Sequence, residues 1–163
     1  MIAYVLLLAV AAERLAEVIW ARRNARALMA QGGQESGAGH YPVMILLHTA
    51  WLAAMALFLP QPAPIHAGPL AAFVVLQGCR LWVMASLGRF FTTRIITVPG
   101  VPLVTGGPYR FLRHPNYLIV VGEVLTLPLV FGEIGVALVF SLMNGILLLW
   151  RIRIEDAALA PRR

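Results

Sequence analysis

Two short stretches near the end of the chain hold residue types that rarely occur together in so apolar a sequence. The first, GPYRFLRHPNY, contains Arg113, His114, Pro115, Asn116 and Tyr117. The second, MNGILLLWRIRIEDAAL, spaces Asn144, Arg151 and Glu155 by seven and then four residues, with Asp156 adjoining. On a helix that spacing lines one face, drifting by roughly 20° per heptad. Pro115 suits the first turn of a helix, where its missing N–H would have no partner anyway. The free N–H groups of such a turn attract anions, and Arg113 and His114 sit beside them. A basic membrane anchor accounts for Arg110 and Arg113 alone. A helix-end ion pair accounts for Arg151 and Glu155, worth a few tenths of a kcal/mol. Neither accounts for His, Pro, Asn and Tyr at one point.

A second group of ionisable residues lies inside apolar stretches, where charge costs about 2.5–3.5 kcal/mol on insertion scales. Glu13, Arg14 and Glu17 fall in the first such stretch, and Arg14 and Glu17 are spaced to pair on one helix face. Arg80 in the third needs an acidic or carbonyl partner, which Glu17 or Glu123 can supply across a bundle. Glu17, Arg80 and Glu123 are therefore candidates for substrate contact, with helix locking as the plainer role. His48 reads as interhelical glue, and His40 and Tyr41 as anchors at the membrane surface.

The elements that must position these residues follow from composition. Of 163 residues, 60% are hydrophobic and 12% charged, against about 25% charged in a soluble domain. Five stretches approach the ~20 apolar residues that cross a bilayer: 2–20, 42–59, 69–88, 115–132 and 134–150. The expected fold is an all-α integral membrane protein, a single domain of five transmembrane helices over 1–163. All 13 basic residues are arginines, and 11 fall in 21–41, 89–114 and the tail, connections that five spans place on one side. The positive-inside rule then sets the N-terminus outside and the C-terminus in the cytoplasm. This distribution is membrane topology and not a nucleic-acid-binding face. Cys79 is the lone cysteine, so no thiolate metal site is expected. Residues 60–68 read as a Pro-rich linker, and 94–109 as a short extended stretch with turns. The last two spans, separated by Gly132–Glu133, must form a helical hairpin. That hairpin returns the end of the fifth helix to the start of the fourth, bringing His114, Tyr117, Arg151 and Glu155 to one edge.

From Gly107 to Asp156 the chain resembles the isoprenylcysteine carboxyl methyltransferase family. That family carries Gly-x-Tyr-x-x-x-Arg-His-Pro-x-Tyr, a helical hairpin, then Arg-Ile-x-x-Glu-Glu. Asp156 stands where the second Glu usually does, and 107–156 forms the methyltransferase-like core. ERLAEVIWARRNARAL and the stretch from Gly39 to His48 resemble the small bacterial branch. The resemblance implies an integral-membrane enzyme, of a bacterial inner membrane with its site facing the cytoplasm. It would use S-adenosylmethionine without a Rossmann domain, and no G-x-G-x-x-G fingerprint is present. It implies cofactor contacts at Arg113, His114, Pro115, Tyr117 and Glu155, with Arg151, Glu155 and Asn144 as catalytic candidates and Arg151 orienting the acceptor oxygen. The acceptor would be lipophilic, a long-chain polyketide hydroxyl before a prenylated carboxylate, entering from membrane lipid. Relatives continue past the acidic pair into a covering helix, whereas this sequence has seven residues after Asp156. The pocket is then either more open or closed by another segment. An NADPH-dependent lipid reductase and a non-enzymatic lipid-binding or transport subunit are the competing readings. Oligomeric state is not encoded in any feature of the sequence.

Overall fold

In the computed structural model, which describes residues 1–160, five α-helices enclose the core and a two-stranded sheet sits at one end. In chain order these are α1 (Ile2–Ala30), β1 (Gln34–Ser36), α2 (His40–Phe58), α3 (Ala67–Leu87), β2 (Ile95–Thr97), α4 (Pro115–Val130) and α5 (Ile134–Leu159). By length and composition, α2, α3 and α5 are long and apolar enough to cross a membrane. The 16-residue α4 is apolar but spans about 24 Å at 1.5 Å per residue, short of the ~30 Å hydrocarbon layer. The 29-residue α1 is long enough, yet carries Glu13, Arg14 and Glu17 along its length.

Two helices overrun the apolar stretches that predict them. α1 continues to Ala30 rather than ending at 20, and α5 to Leu159 rather than 150. The loss of apolar character marks where lipid would end. It does not stop a helix whose next residues, Ala-Arg-Arg-Asn-Ala-Arg-Ala-Leu, are mostly good helix formers. The sheet was only half expected. β2 falls in the β-branched stretch, but its antiparallel partner is the polar Gln34–Ser36, paired Glu35 to Ile96. Arg162 and Arg163, counted with the basic tail, lie outside the described residues.

α4 packs between α3 and α5, and α5 also packs on α2. The α3–α4 approach is close: a Cβ on Gly122 would stand 2.7 Å from a Leu76 methyl. The hairpin turn depends on Gly132, whose φ of 76° is left-handed. At that end the apolar core gathers the start of α1, the end of α2, the start of α3 and the end of α4, including Leu7, Met55, Phe73 and Leu127. The opposite end collects the start of α2, the start of α4, the end of α5 and the sheet.

Between the two ends lies a buried ionic cluster. Arg80 donates through Nε and Nη2 to the two Glu17 oxygens, the latter at 2.6 Å, and through Nη1 to Glu123 at 3.1 Å. Arg14 donates to Glu17 and to Glu123, each at 3.0 Å. Gln77 accepts from Arg14 and donates to Glu13 at 2.8 Å. Two arginines and two buried carboxylates thus balance, tying α1, α3 and α4 together where an unpaired charge would be prohibitive.

Candidate active site

The reactive end is built around Arg151, which is 6% exposed on the last turns of α5. Its Nε donates to the Tyr117 hydroxyl at 2.8 Å. Its Nη1 reaches His40 Nε2 at 2.9 Å and Met44 Sδ at 3.4 Å. The Tyr117 hydroxyl in turn donates to Glu155. This relay exists because Pro115 starts α4, placing Tyr117 on its first inward turn, while the hairpin returns α5 beside it.

His114 precedes α4 and stacks on Tyr117, ring centroids 5.3 Å apart at 17°. Its Nδ1 lies 3.4 Å from Glu155 and its Nε2 3.3 Å from Asp156. These are ion-pair separations, long for hydrogen bonds. Interaction with the Glu155 carboxylate raises the imidazole above its ordinary pKa against partial burial, and Asp156 adds to the rise. The site therefore sets Arg151 and His114 beside the carboxylates of Glu155 and Asp156. Burial pushes the Tyr109 phenol up as well, aided by Glu155, so it remains a neutral donor.

These groups line a cavity of about 300 Å³, at the lower end of ligand-pocket sizes. Arg113, His114, Asn116, Tyr117, Arg151 and Glu155 form one side. The opposite wall is β2 and residues 102–105, together with Tyr109. The segment between α3 and α4 thus supplies that wall. Arg94 also lines it, held by Glu35 at 3.0 Å and lying over the Tyr41 ring. A second hollow, about 570 Å³, runs between α4 and α5 along Leu118, Val121, Leu142, Ile146 and Leu149. It is almost wholly apolar. His114 and Tyr117 line both spaces, so the polar cavity and the apolar groove meet at these two rings.

The structure brings Arg113, His114, Pro115, Tyr117, Arg151 and Glu155 to one site. Asn144 stands apart: it is 1% exposed, one heptad up α5 from Arg151, and lines neither space. Its side-chain nitrogen and oxygen have no protein partner among the described residues. Glu17, Arg80 and Glu123 also lie outside both spaces, with one another and Arg14 as partners. His40, expected at the membrane surface, is 1% exposed and pairs with Arg151. Sequence reasoning missed His40, Met44, Arg94 and Tyr109. The available signal was that a histidine opening α2 and an arginine closing α5 fall at the same end of an antiparallel pair. Among the described residues, no cluster suits a metal ion.

A family model described as the isoprenylcysteine carboxyl methyltransferase (ICMT) family matches residues 69–161. The chain is also similar to an uncharacterized protein, YpbQ, of Bacillus subtilis (strain 168), at 39% identity over 151 residues, covering 90% of each chain. No solved structure matches.

Proposed function

Because the chain belongs to the isoprenylcysteine carboxyl methyltransferase family, a family of membrane methyltransferases, we propose that it methylates an oxygen of a lipophilic acceptor with S-adenosylmethionine as donor. The observation that carries this reading is the junction at His114 and Tyr117 of a polar cavity with an apolar groove. A water-soluble donor and a lipid-soluble acceptor need separate approaches to one point.

The residues present suit the donor. The cavity is of ligand size, and the buried Asn116 Oδ1 on its wall has no protein partner, which leaves an acceptor for an ammonium or amino group. Arg113 and Arg94 supply cations for a carboxylate, and Phe90, Phe91 and Tyr109 supply aromatic surface for a purine. Pro115 fixes the α4 turn that aims His114 and Tyr117. When bound, S-adenosylmethionine supplies a methyl group on a positively charged sulfur, open to in-line displacement by an oxygen lone pair.

The chain's own groups do the rest. Glu155 and Asp156 offset positive charge in the cavity. Arg151, held through Nε and Nη1, offers Nη2 to an oxygen anion of the acceptor. A carboxylate or acidic enol is already ionised near neutral pH, so orientation and exclusion of water matter more than a strong base. β2 and residues 102–105 wall off water, and the α4–α5 groove admits an alkyl chain sideways. We read the long-chain polyketide enol as the preferred acceptor and a prenylated carboxylate as the second. Glu17, Arg80 and Glu123 hold α1, α3 and α4 so that the groove keeps its shape. All five helices cross the bacterial inner membrane in this reading, with α4 tied to its neighbours and the site at the cytoplasmic face. Arg22, Arg23, Arg26, Arg89, Arg110, Arg113 and Arg153 all belong to connections or helix ends at the site end, as the positive-inside rule requires.

The test is calorimetric titration of the detergent-purified protein with S-adenosylmethionine and, separately, NADPH. Saturable donor binding, abolished in Glu155→Ala and His114→Ala, is the expected result. A folded protein that binds NADPH, or neither molecule, overturns the assignment.

A further inference from the structure

His40 opens α2, outside the two polar stretches that flank the hairpin, and nothing in the sequence of α4 or α5 requires it. Its place is nonetheless tightly built. The backbone turns at Gly37 with φ of 64°, and His40 N–H donates to the Gly37 carbonyl at 3.2 Å. A Cβ on Gly37 would stand 2.7 Å from an Ile154 methyl and 3.1 Å from His40 Nδ1. The β1–α2 junction is therefore pressed against α5, and the His40 ring meets Trp150 edge-on at 6.2 Å.

Within that seat His40 Nε2 lies 2.9 Å from Arg151 Nη1. A guanidinium has donors and no acceptor, so this bond forms only if Nε2 carries a lone pair. His40 must then be neutral, with its proton on Nδ1. Arg151 is fixed at two corners, Nε on Tyr117 and Nη1 on His40, leaving Nη2 without a protein partner among the described residues. Two fixed corners determine the plane and heading of a rigid fork. With Tyr117 alone, the guanidinium can pivot about a single bond.

We propose that His40 is the positioning residue for the acceptor-binding arginine, and that methyl transfer requires it neutral. The proposal rests on the reading of Arg151 as the group that orients the acceptor oxygen. Protonated His40 would set two cations against each other, and Arg151 would swing from its heading. The charged groups that face the imidazole are Arg151 and Glu155 from α5 and Glu35 from β1, with the Gly37 carbonyl beside Nδ1. Loss of His40 would leave the donor cavity intact, because His40 does not line it.

The experiment compares wild type, His40→Ala and His40→Gln as full-length protein in detergent. The acceptor probe is a 4-hydroxy-2-pyrone bearing a long 6-alkyl chain, and the donor carries a labelled methyl group. An ångström-scale misplacement costs about 100-fold in rate, so His40→Ala is expected to lose that much in kcat with the donor Kd unchanged. His40→Gln, whose amide oxygen accepts from Arg151, is expected to recover most of the loss. The wild-type rate should fall as pH drops through the His40 titration, and that limb should vanish in His40→Gln. ¹⁵N spectra of histidine-labelled protein, with His40 identified by its absence in His40→Gln, should show the Nδ1–H tautomer. Equal rates in wild type and His40→Ala, or a His40 signal of the Nε2–H tautomer, overturn the positioning role. A wild type that binds no donor instead overturns the methyltransferase reading, while the tautomer still reports the His40–Arg151 pair.

Discussion

Glu123→Leu removes one of the two buried carboxylates that face Arg14 and Arg80. The side chain is 5% exposed and accepts from Arg14 and Arg80 at 3.0 and 3.1 Å. Its loss leaves two arginines facing Glu17 alone among the buried carboxylates. Breaking one member of a buried pair in this way costs about 3–5 kcal/mol. Arg14→Leu creates the mirror problem, with Glu123 left to the single bond from Arg80. The double variant differs in kind. It keeps the bidentate Arg80–Glu17 pair, is again neutral at the buried positions, and leaves Gln77 bound to Glu13. Its destabilisation should therefore fall short of the summed single losses by about 2–3 kcal/mol, at the upper end of couplings within one network. Unfolding in mixed detergent micelles of rising SDS fraction, followed by tryptophan fluorescence, measures all four corners of the cycle. Since none of these residues lines the cavity or the groove, the KM for acceptor of the folded double variant should stay within about threefold of wild type. Strictly additive losses would refute the closed-network argument. A large rise in KM with intact stability would return Glu123 to direct substrate contact.

Three further outcomes follow from the same geometry. Tyr117→Phe removes the hydroxyl that accepts from Arg151 and donates to Glu155, so kcat should fall by about 10- to 100-fold, with a loss of stability of about 1–3 kcal/mol from the partners left unpaired. His114 has its pKa raised by Glu155 and Asp156; its stabilising contribution is complete below the unfolded value near 6.5 and is lost as pH rises through the folded value. The difference in melting temperature between wild type and His114→Gln should therefore shrink with rising pH. Glu133, buried at the hairpin turn with neither oxygen partnered, has its pKa pushed up by desolvation to about 7. Its contribution to stability is undiminished below pH 4.5 and is lost as pH rises from 4.5 to about 7, so Glu133→Gln should match wild type in acid and exceed it at pH 8, by at most about 3 kcal/mol.

The hairpin was legible because its ends are marked by residues with distinctive backbone preferences. Proline at 115 suits a first helical turn, and Gly132 carries the left-handed turn. Once those ends are known, His114, Tyr117, Arg151 and Glu155 have to converge. Helix length was less legible, since hydropathy reports the bilayer and not the backbone, and the arginine-bearing extensions of α1 and α5 remain helical. The Arg14–Glu17 pair could be read from an i,i+3 spacing, but its bonds to Glu123 and Gln77 depend on how three helices rotate about their axes. The His40–Arg151 contact was missed for the same reason. An imidazole at the start of an apolar helix looks like an interfacial anchor until α5 is seen to lie against it.

Tyr117 gains its importance from position as much as from chemistry. One face of the residue belongs to a cavity furnished with arginine, histidine, asparagine and carboxylate, and another to a groove of leucine, isoleucine and valine. A donor of fixed charge dissolves in water and a long alkyl chain in lipid, so neither can readily cross to the other's phase. Their reacting atoms can meet only where the protein replaces the water–lipid boundary with ordered side chains. In the proposed reading the stacked rings of His114 and Tyr117 occupy that boundary, with Arg151 bonded to the Tyr117 hydroxyl. The anchoring of Arg151 to His40, in a different helix, makes chemical sense on this basis. A guanidinium poised beside lipid would otherwise turn toward the nearest water.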